Sequence, residues 1–532
     1  MSHSHNCIAL ALAACGLSLL GLSRPSYAAD TSTPPASTWD VMSDTWVATD
    51  ALGRKLPTHD QVGSPRKDKF VGIFYFLWLG RHGEEGPFDI SKNLLRDPAV
   101  MQNPKSPLWG PLYAPHHWGE SIFDYYISDD PGVLRKHAQM LADAGVDVVI
   151  FDVTNNLTYP QSWQALGRVF SEMRRQGCAA PRIAFLCPFW DPKKVVLELW
   201  DELYSKGTYR DLWFQWEGKP LILADPALLT EGIVQADHDA AVALEQGHSL
   251  GQSFAPSKPF GVVSACLPTW ETKDTAVTMT LYRDGPGGKQ VAQQRVENIG
   301  DNAWVTLELK SPEPAGTYYL ELTDPNGHVG WWSLRKDRIP GGSAFVDGKA
   351  APGDRTLRVN LADERIGRIR QFFTFRKPQA DYFTGPRGPG EWGWLEVSPQ
   401  HVFYKTPGVP EQMTVGVAQN ALEGKLSVLS NPRSHGRSFH DGKQPEPSGQ
   451  DSTGRNVAEQ WKRALEVDPP FIFITGWNEW IAGRFNEKAP FHGSGPVTFV
   501  DQFNTEYSRD IEPMKGGHGD NYYYQMVAHI RR

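Results

Sequence analysis

The residues best suited to chemistry stand near the C-terminus, in the run FIFITGWNEW, residues 471 to 480. Five apolar or β-branched residues lead to Gly476, and then Glu479 appears between Trp477 and Trp480 with Asn478 beside it. A carboxyl group among indoles loses hydration, which raises its pKa and keeps a proton available near neutral pH. Other apolar runs end in similar residues: Trp78 followed by Arg81-His82, Asp152 followed by Thr154-Asn155-Asn156, Trp190-Asp191, Asp225, Arg376, Trp392 to Glu396 with Trp394 inside it, and Gln419-Asn420. Carboxylates, amides and indoles dominate this set. No Ser-His or Cys-His pairing stands out, and His116-His117 is a lone adjacent pair without metal-ligand spacing.

Sugar chemistry uses this mixture. Cleaving a glycosidic bond takes two carboxyl groups, one to protonate the leaving oxygen and one to attack or to deprotonate water. Indoles accept the flat C–H faces of pyranose rings, and amides donate to and accept from hydroxyls at once. The expected catalytic groups are Glu479 with Glu396 or Asp152, and Glu487 and Glu506 remain alternatives in the last loop. Expected substrate contacts are Trp78, His82, Asn155, Trp190, Asp191, Arg376, Trp394, Gln419, Trp477, Asn478 and Trp480. Neither a metal nor a cofactor is expected, and a strand-end carboxylate also has the plainer use of capping the next helix.

These residues must be positioned by strands that alternate with helices. Val71–Leu79, Val146–Val153, Arg182–Trp190 and Pro220–Ala224 are apolar without alternation, as strands covered on both faces are. Helical patterns at 132–144 and 162–176 lie between them. From 247 to 361 the pattern changes to short alternating strands divided by turns such as Asp284-Gly285-Pro286-Gly287-Gly288, which predicts an antiparallel sandwich of jelly-roll type. Strands then resume at 371–376, 393–397, 413–418 and 471–475. Four strands before the insertion and four after predict an α/β fold, a (β/α)8 TIM-type barrel interrupted by a β-sandwich; a doubly wound open sheet is the alternative. The expected organisation is 1–28 signal peptide, 29–65 lead-in, 66–246 first half of the barrel, 247–361 sandwich and 362–532 second half.

The segment Gly476-Trp477-Asn478-Glu479-Trp480 resembles the [FW]-N-E-W motif of WbsX-like proteins, relatives of glycoside hydrolase families 99 and 71. That resemblance implies a (β/α) barrel enzyme acting on glycans, an endo- or exo-glycosidase. Family 99 enzymes carry a second glutamate three residues after the first, and here that position is Ala482. The partner of Glu479 is therefore expected from another strand or the last loop, or the mechanism differs from that family's. A non-catalytic glycan-binding protein is the rival that Ala482 favours, and a polysaccharide lyase is a third reading.

The rest of the chain narrows the classes. With 53 basic and 61 acidic residues mixed along 532 positions and a net charge of −8, nucleic acid and anionic membrane surfaces are unsuited as main partners. No GxGxxG or GxxxxGK[ST] follows a strand, which excludes the usual nucleotide folds. Ile8 to Leu22 is an uncharged apolar run followed by Ser26-Tyr27-Ala28-Ala29, the pattern of a signal peptide, with Leu12-Ala13-Ala14-Cys15 resembling a lipobox. The expectation is export to the periplasm or medium, with no membrane span in the mature chain. Cys178, Cys187 and Cys266 are too few and too scattered for a disulfide framework and are expected to be small buried hydrophobes.

Overall fold

The computed structural model describes residues 46–80, 86–229, 231–361 and 363–532. The signal-peptide and lipobox residues, part of the lead-in, and Arg81-His82 lie outside them. Val148–Asp152 shows why the central sheet forms: all five side chains of VVIFD are buried, Val149 and Phe151 with helix residues such as Leu134 and Leu166, and Val148 and Ile150 with residues of other strands such as Phe74 and Phe473. Eight such strands run parallel among the described residues: β1 (Phe70–Tyr75), β2 (Val148–Asp152), β3 (Arg182–Leu186), β4 (Lys219–Leu223), β5 (Thr374–Gln379), β6 (Glu391–Gly393), β7 (Val409–Gly416) and β8 (Phe471–Thr475). Their order is β6-β5-β4-β3-β2-β1-β8-β7, with every neighbouring pair parallel.

That order makes a nearly closed sheet whose two ends are β6 and β7. No ladder joins them. Gln412 on β7 instead crosses the seam: its amide oxygen accepts from the Gly393 N–H at 2.9 Å, and its Nε2 donates to the Gly393 carbonyl at 3.1 Å. A side-chain amide thus substitutes for one pair of backbone bonds. The strand 403–406, antiparallel to β7, adds a second bridge where the Gly390 N–H donates to the Tyr404 carbonyl at 2.9 Å.

Helices fill most of the crossovers, but among the described residues β5 is joined to β6 by turns alone, and β6 to β7 by loops and the strand 403–406. Helix α1 (Pro131–Ala144) starts at Asp130, whose carboxylate accepts from the N–H groups of Gly132 and Val133, and stops at Gly145 with φ 87°. It buries Leu134, His137, Ala138 and Leu141 on one face. Helix α2 (Pro160–Arg175) follows β2, and α3 (Lys193–Leu199) follows β3. Helix α4 (Glu364–Phe372) precedes β5, α5 (Arg455–Val467) precedes β8, and α6 (Asn521–Arg531) ends the chain. Because α4 takes up 364–372, β5 begins at Thr374, three residues later than its apolar run suggests, and Arg376 sits within the strand.

The antiparallel block reaches back before residue 247: Glu231–Gln235 pairs with Leu357–Leu361, and Ala240–Ala243 pairs with Gly330–Leu334. A six-stranded and a four-stranded sheet enclose a core that includes Phe254, Phe260, Leu281, Tyr318, Leu320 and Trp331. Strand 303–313 alternates, with Val305 and Leu307 turned inward and Trp304, Thr306 and Glu308 outward. Cys187 and Cys266 are buried as expected of small hydrophobes, whereas Cys178 is exposed in the turn after α2. No helix among the described residues is long and apolar enough to cross a membrane.

Candidate functional site

Glu479 leaves the sheet just past β8, held there by two neighbouring segments. The Trp477 N–H donates to the Phe74 carbonyl at 2.9 Å, and Asn478 Oδ1 accepts from the Phe76 N–H at 2.9 Å, which ties the ends of β1 and β8 together. On the other side, residues 509–512 run beside 476–477: Gly476 N–H donates to the Arg509 carbonyl at 3.1 Å, and Glu512 N–H donates to the Trp477 carbonyl at 3.0 Å. Gly476 is required by this approach, since a Cβ there would lie 2.8 Å from Asp510 Oδ1 and 3.0 Å from the Phe74 ring.

The carboxyl of Glu479 is 12% exposed and sits in a cluster of charges. Its Oε2 accepts from Gln502 Nε2 at 3.1 Å and from Arg509 Nη2 at 3.2 Å. The same Gln502 nitrogen donates to Asp510 Oδ2 at 2.6 Å, and Arg509 Nη2 also meets Asp501 Oδ1 at 3.3 Å. Burial pushes the Glu479 carboxyl well above the ordinary carboxylate range; Arg509 opposes this, and Asp501, Asp510 and Asp152 reinforce it. Asp510 is buried and pushed up to about 6, again chiefly by burial. Asp152 is also raised by burial, against two hydrogen bonds from Thr154. Asp501 is the open member, with a side chain 45% exposed. Arg509 is buried, with Nε and Nη1 lacking hydrogen-bond partners among the described residues, and its guanidinium lies 5.9 Å from the Trp394 ring.

The structure separates the expected site residues into three groups. Asp152 shares the electrostatic neighbourhood of Glu479, and Trp394 packs near it, against Phe74 at 6.3 Å and Phe189 at 5.8 Å. Trp190, 79% exposed after β3, and Asp191 and Asn155 lie on exposed loops, while Trp78 is half-buried against Phe76 at 4.3 Å and Tyr159 at 6.4 Å.

A second group is buried and bound to the fold. Trp477 is fully enclosed, edge-on to His137 at 5.6 Å. Trp480 stacks on Trp118 at 4.6 Å and donates its indole N–H to Glu512 at 2.6 Å. The indoles on either side of Glu479 therefore belong to the core, not to a cleft wall, because the chain turns both inward and leaves the carboxylate at the edge. Asn478 is used by β1. Gln419 is buried, its amide oxygen accepting from Asn456 Nδ2 at 3.2 Å. Arg376 is buried against Glu411 on β7 through Nε and Nη2 at 3.0 and 2.5 Å, so its charge is consumed inside the sheet and not offered at a strand end.

Glu396 forms the third group. It is fully buried, paired with His401 Nδ1 at 2.7 Å, and its charged neighbours are His401 and Asp381. Burial raises its carboxyl while His401 opposes, and none of the Glu479 cluster is among its partners. Of the downstream glutamates, Glu506 is half-buried and accepts from Ser438 and Gln444, and Glu487 is exposed just past strand 481–486. Ala482 lies on that strand opposite His116, buried among Trp118, Trp480 and Ile481. His82 lies outside the described residues.

No family model matches the chain, and no curated protein matches it. Among solved structures, a family 99 endo-alpha-mannosidase from Bacteroides thetaiotaomicron is similar at 13% identity over 87% of this chain and 96% of its own, with a TM-score of 0.36. The same type of enzyme in complex with BIS-TRIS-propane is similar at 18% identity; the match spans 29% of this chain and 41% of that one, with a TM-score of 0.19. A structure described as "CBM4 structure and function" is similar at 13% identity over 22% of this chain and 69% of its own, with a TM-score of 0.10. These overlaps are distant, and the chemistry of the site rests on the chain's own residues.

Asp501, Gln502, Arg509 and Asp510 are the members that the sequence pattern did not single out. They lie in a loop without periodicity, and their only mark is the pairing of charged and amide residues, Asp-Gln and Arg-Asp, eight positions apart. Among the described residues no group of three or more His, Cys, Asp or Glu side chains is arranged to hold a metal ion.

Proposed function

We propose that the chain is a glycoside hydrolase with a (β/α)8 barrel, in which Glu479 is the general acid and Asp501 the second carboxyl group. The observation that carries this reading is the Glu479 cluster: a nearly enclosed carboxyl on Arg509 and Gln502, pushed upward by burial and by neighbouring carboxyl groups, beside a more open carboxyl group, Asp501, on the same arginine. In the proposed reaction Glu479 gives its proton to the glycosidic oxygen as the C–O bond breaks, and leaves as a carboxylate stabilised by Arg509 and Gln502. Asp501 attacks the anomeric carbon or takes a proton from the attacking water. Asp152 acts on Glu479 through its field, helping to keep the proton in place, and Glu396 has a structural role with His401. Trp190, Trp78 and Trp394 supply apolar faces for sugar rings.

Export to the periplasm or medium, by a signal peptide over residues 1–28 or as a lipoprotein through Cys15, remains part of the proposal, supported by the apolar run at Ile8 to Leu22. A glycan-binding protein without turnover is the second reading, favoured by the buried apolar position of Ala482. Incubation with a panel of plant and bacterial polysaccharides separates the two, since only hydrolysis creates new reducing ends. For the hydrolase, Asp501→Asn lowers turnover by about 10²–10⁴-fold, the usual scale for a lost acid or base, while Asp152→Asn lowers it less. The reverse order would transfer the second role to Asp152.

A further inference from the structure

The outward face of the four-stranded sheet in the sandwich does not resemble ordinary packing. Register places Trp304 opposite Cys266, Thr306 opposite Ser264 and Ser264 opposite Arg358, and in the next row Glu308 opposite Val262 and Val262 opposite Asn360. All these side chains lie on the side away from the sandwich core, whose inner positions are Val263, Val305, Leu307, Leu357 and Val359. The face looks toward Pro226, Arg370 and Phe375 of the parallel-sheet domain and encloses with them a cleft of about 520 Å³. That volume falls in the ~300–1,000 Å³ range of small-molecule sites.

The chemistry of the cleft is specific. The Arg358 guanidinium lies 3.8 Å from the centre of the Trp304 ring. Among the described residues it makes no hydrogen bond or ion pair; Cys266 and Asp225 act on it only through their fields. Burial lowers its affinity for the proton, so the charge is carried at a cost that the indole offsets in part. Arg370 adds a second guanidinium, with Nη2 donating to the carbonyls of Pro226 and Leu229 at 2.9 and 3.0 Å. Ser264 and Thr306 share a hydrogen bond of 3.0 Å, and Asn360 supplies an amide. Indole, planar cation, hydroxyls and amide together match a sugar ring with an acidic substituent. The other aromatic pair of the sandwich is occupied: Trp331 is buried with its N–H on the Thr356 carbonyl at 2.7 Å, and Trp332 packs on His238 at 4.3 Å.

We propose that this cleft is a second carbohydrate site, separate from Glu479, that binds an anionic saccharide through Arg358 and Trp304. It stands or falls independently of the hydrolase reading. The test is affinity electrophoresis and calorimetry of the full chain and its Arg358→Gln, Arg358→Lys and Trp304→Phe variants with polygalacturonate, dextran sulfate and neutral dextran. Expected is binding to an acidic polymer, weakened at least tenfold in Arg358→Gln and partly kept in Arg358→Lys. Polygalacturonate against dextran sulfate shows whether carboxylate or sulfate is the anion. Glu479→Gln leaves this binding unchanged, and Arg358→Gln leaves any turnover of short soluble substrates unchanged. Equal binding of neutral dextran, no binding to either acidic polymer, or binding indifferent to Arg358→Gln in a folded variant would overturn the proposal.

Discussion

At the scale of single residues, the site is defined by how three carboxyl groups and one guanidinium share a small, poorly hydrated space. An unfolded aspartate releases its proton near 3.8, whereas Asp510 in the folded chain holds it up to about 6. The folded state therefore binds the extra proton between those values, and stability falls as pH rises across that window. The fall amounts to up to about 3 kcal/mol from the size of the shift. Glu479, raised in the same direction, extends the loss to higher pH. Urea unfolding from pH 4 to 7 checks this: the wild type loses stability with rising pH from these groups, and Glu479→Gln shows a shallower loss because one like charge is gone. For the proposed hydrolase, the same upward shift predicts a basic limb of kcat/KM that follows Glu479, read from a pH profile of the wild type. Gly476→Ala tests the close approach behind the site: a Cβ 2.8 Å from Asp510 Oδ1 must displace that carboxylate, costing about 1–3 kcal/mol of stability, read from the urea midpoint.

At the scale of elements, the seam between β6 and β7 is bridged by the Gln412 amide and by the strand 403–406. Gln412→Leu leaves the Gly393 N–H and carbonyl without their partner and lowers stability by about 1–3 kcal/mol, measured by the same unfolding experiment. Glu411→Ala has a larger effect, about 3–5 kcal/mol, because it removes the buried partner of Arg376, leaving Glu217 at 3.2 Å as its counter-charge, and leaves the indole N–H groups of Trp216 and Trp392 without their acceptor. The parallel strands before the sandwich and β8 were readable in the sequence because burial on both faces leaves uninterrupted apolar runs, as in Val148–Asp152, whereas β6, expected over 393–397, forms at Glu391–Gly393, and β7, expected over 413–418, at Val409–Gly416. The start of β5 was not readable, since Phe372 and Phe373 look like strand but are claimed by the end of α4 and its cap. The Glu479 motif was legible for its carboxylate and misleading for its indoles: composition shows Trp477 and Trp480 flanking a glutamate, but only packing decides that both turn into the core. Glu396 likewise has the right type and a plausible strand-end place, and pairs instead with His401. The Asp501 to Asp510 loop could not be read, because its partners come together through backbone bonds to residues 476–477 that no periodic pattern encodes.

At the scale of the whole molecule, a nearly closed parallel sheet presents the buried carboxyl of Glu479 on Arg509, and an inserted sandwich presents a separate polar cleft toward the sheet. The two parts divide the work in this account, cleavage at Glu479 and retention of an acidic glycan at Arg358. The measurement that bears most directly on the central claim is turnover by Glu479→Gln on whichever polysaccharide the wild type converts to new reducing ends, with folding checked by circular dichroism and thermal unfolding. The account predicts a folded variant whose kcat falls by about 10²–10⁴-fold while its binding to acidic polymers is kept. A folded Glu479→Gln variant that releases reducing ends at the wild-type rate would contradict it.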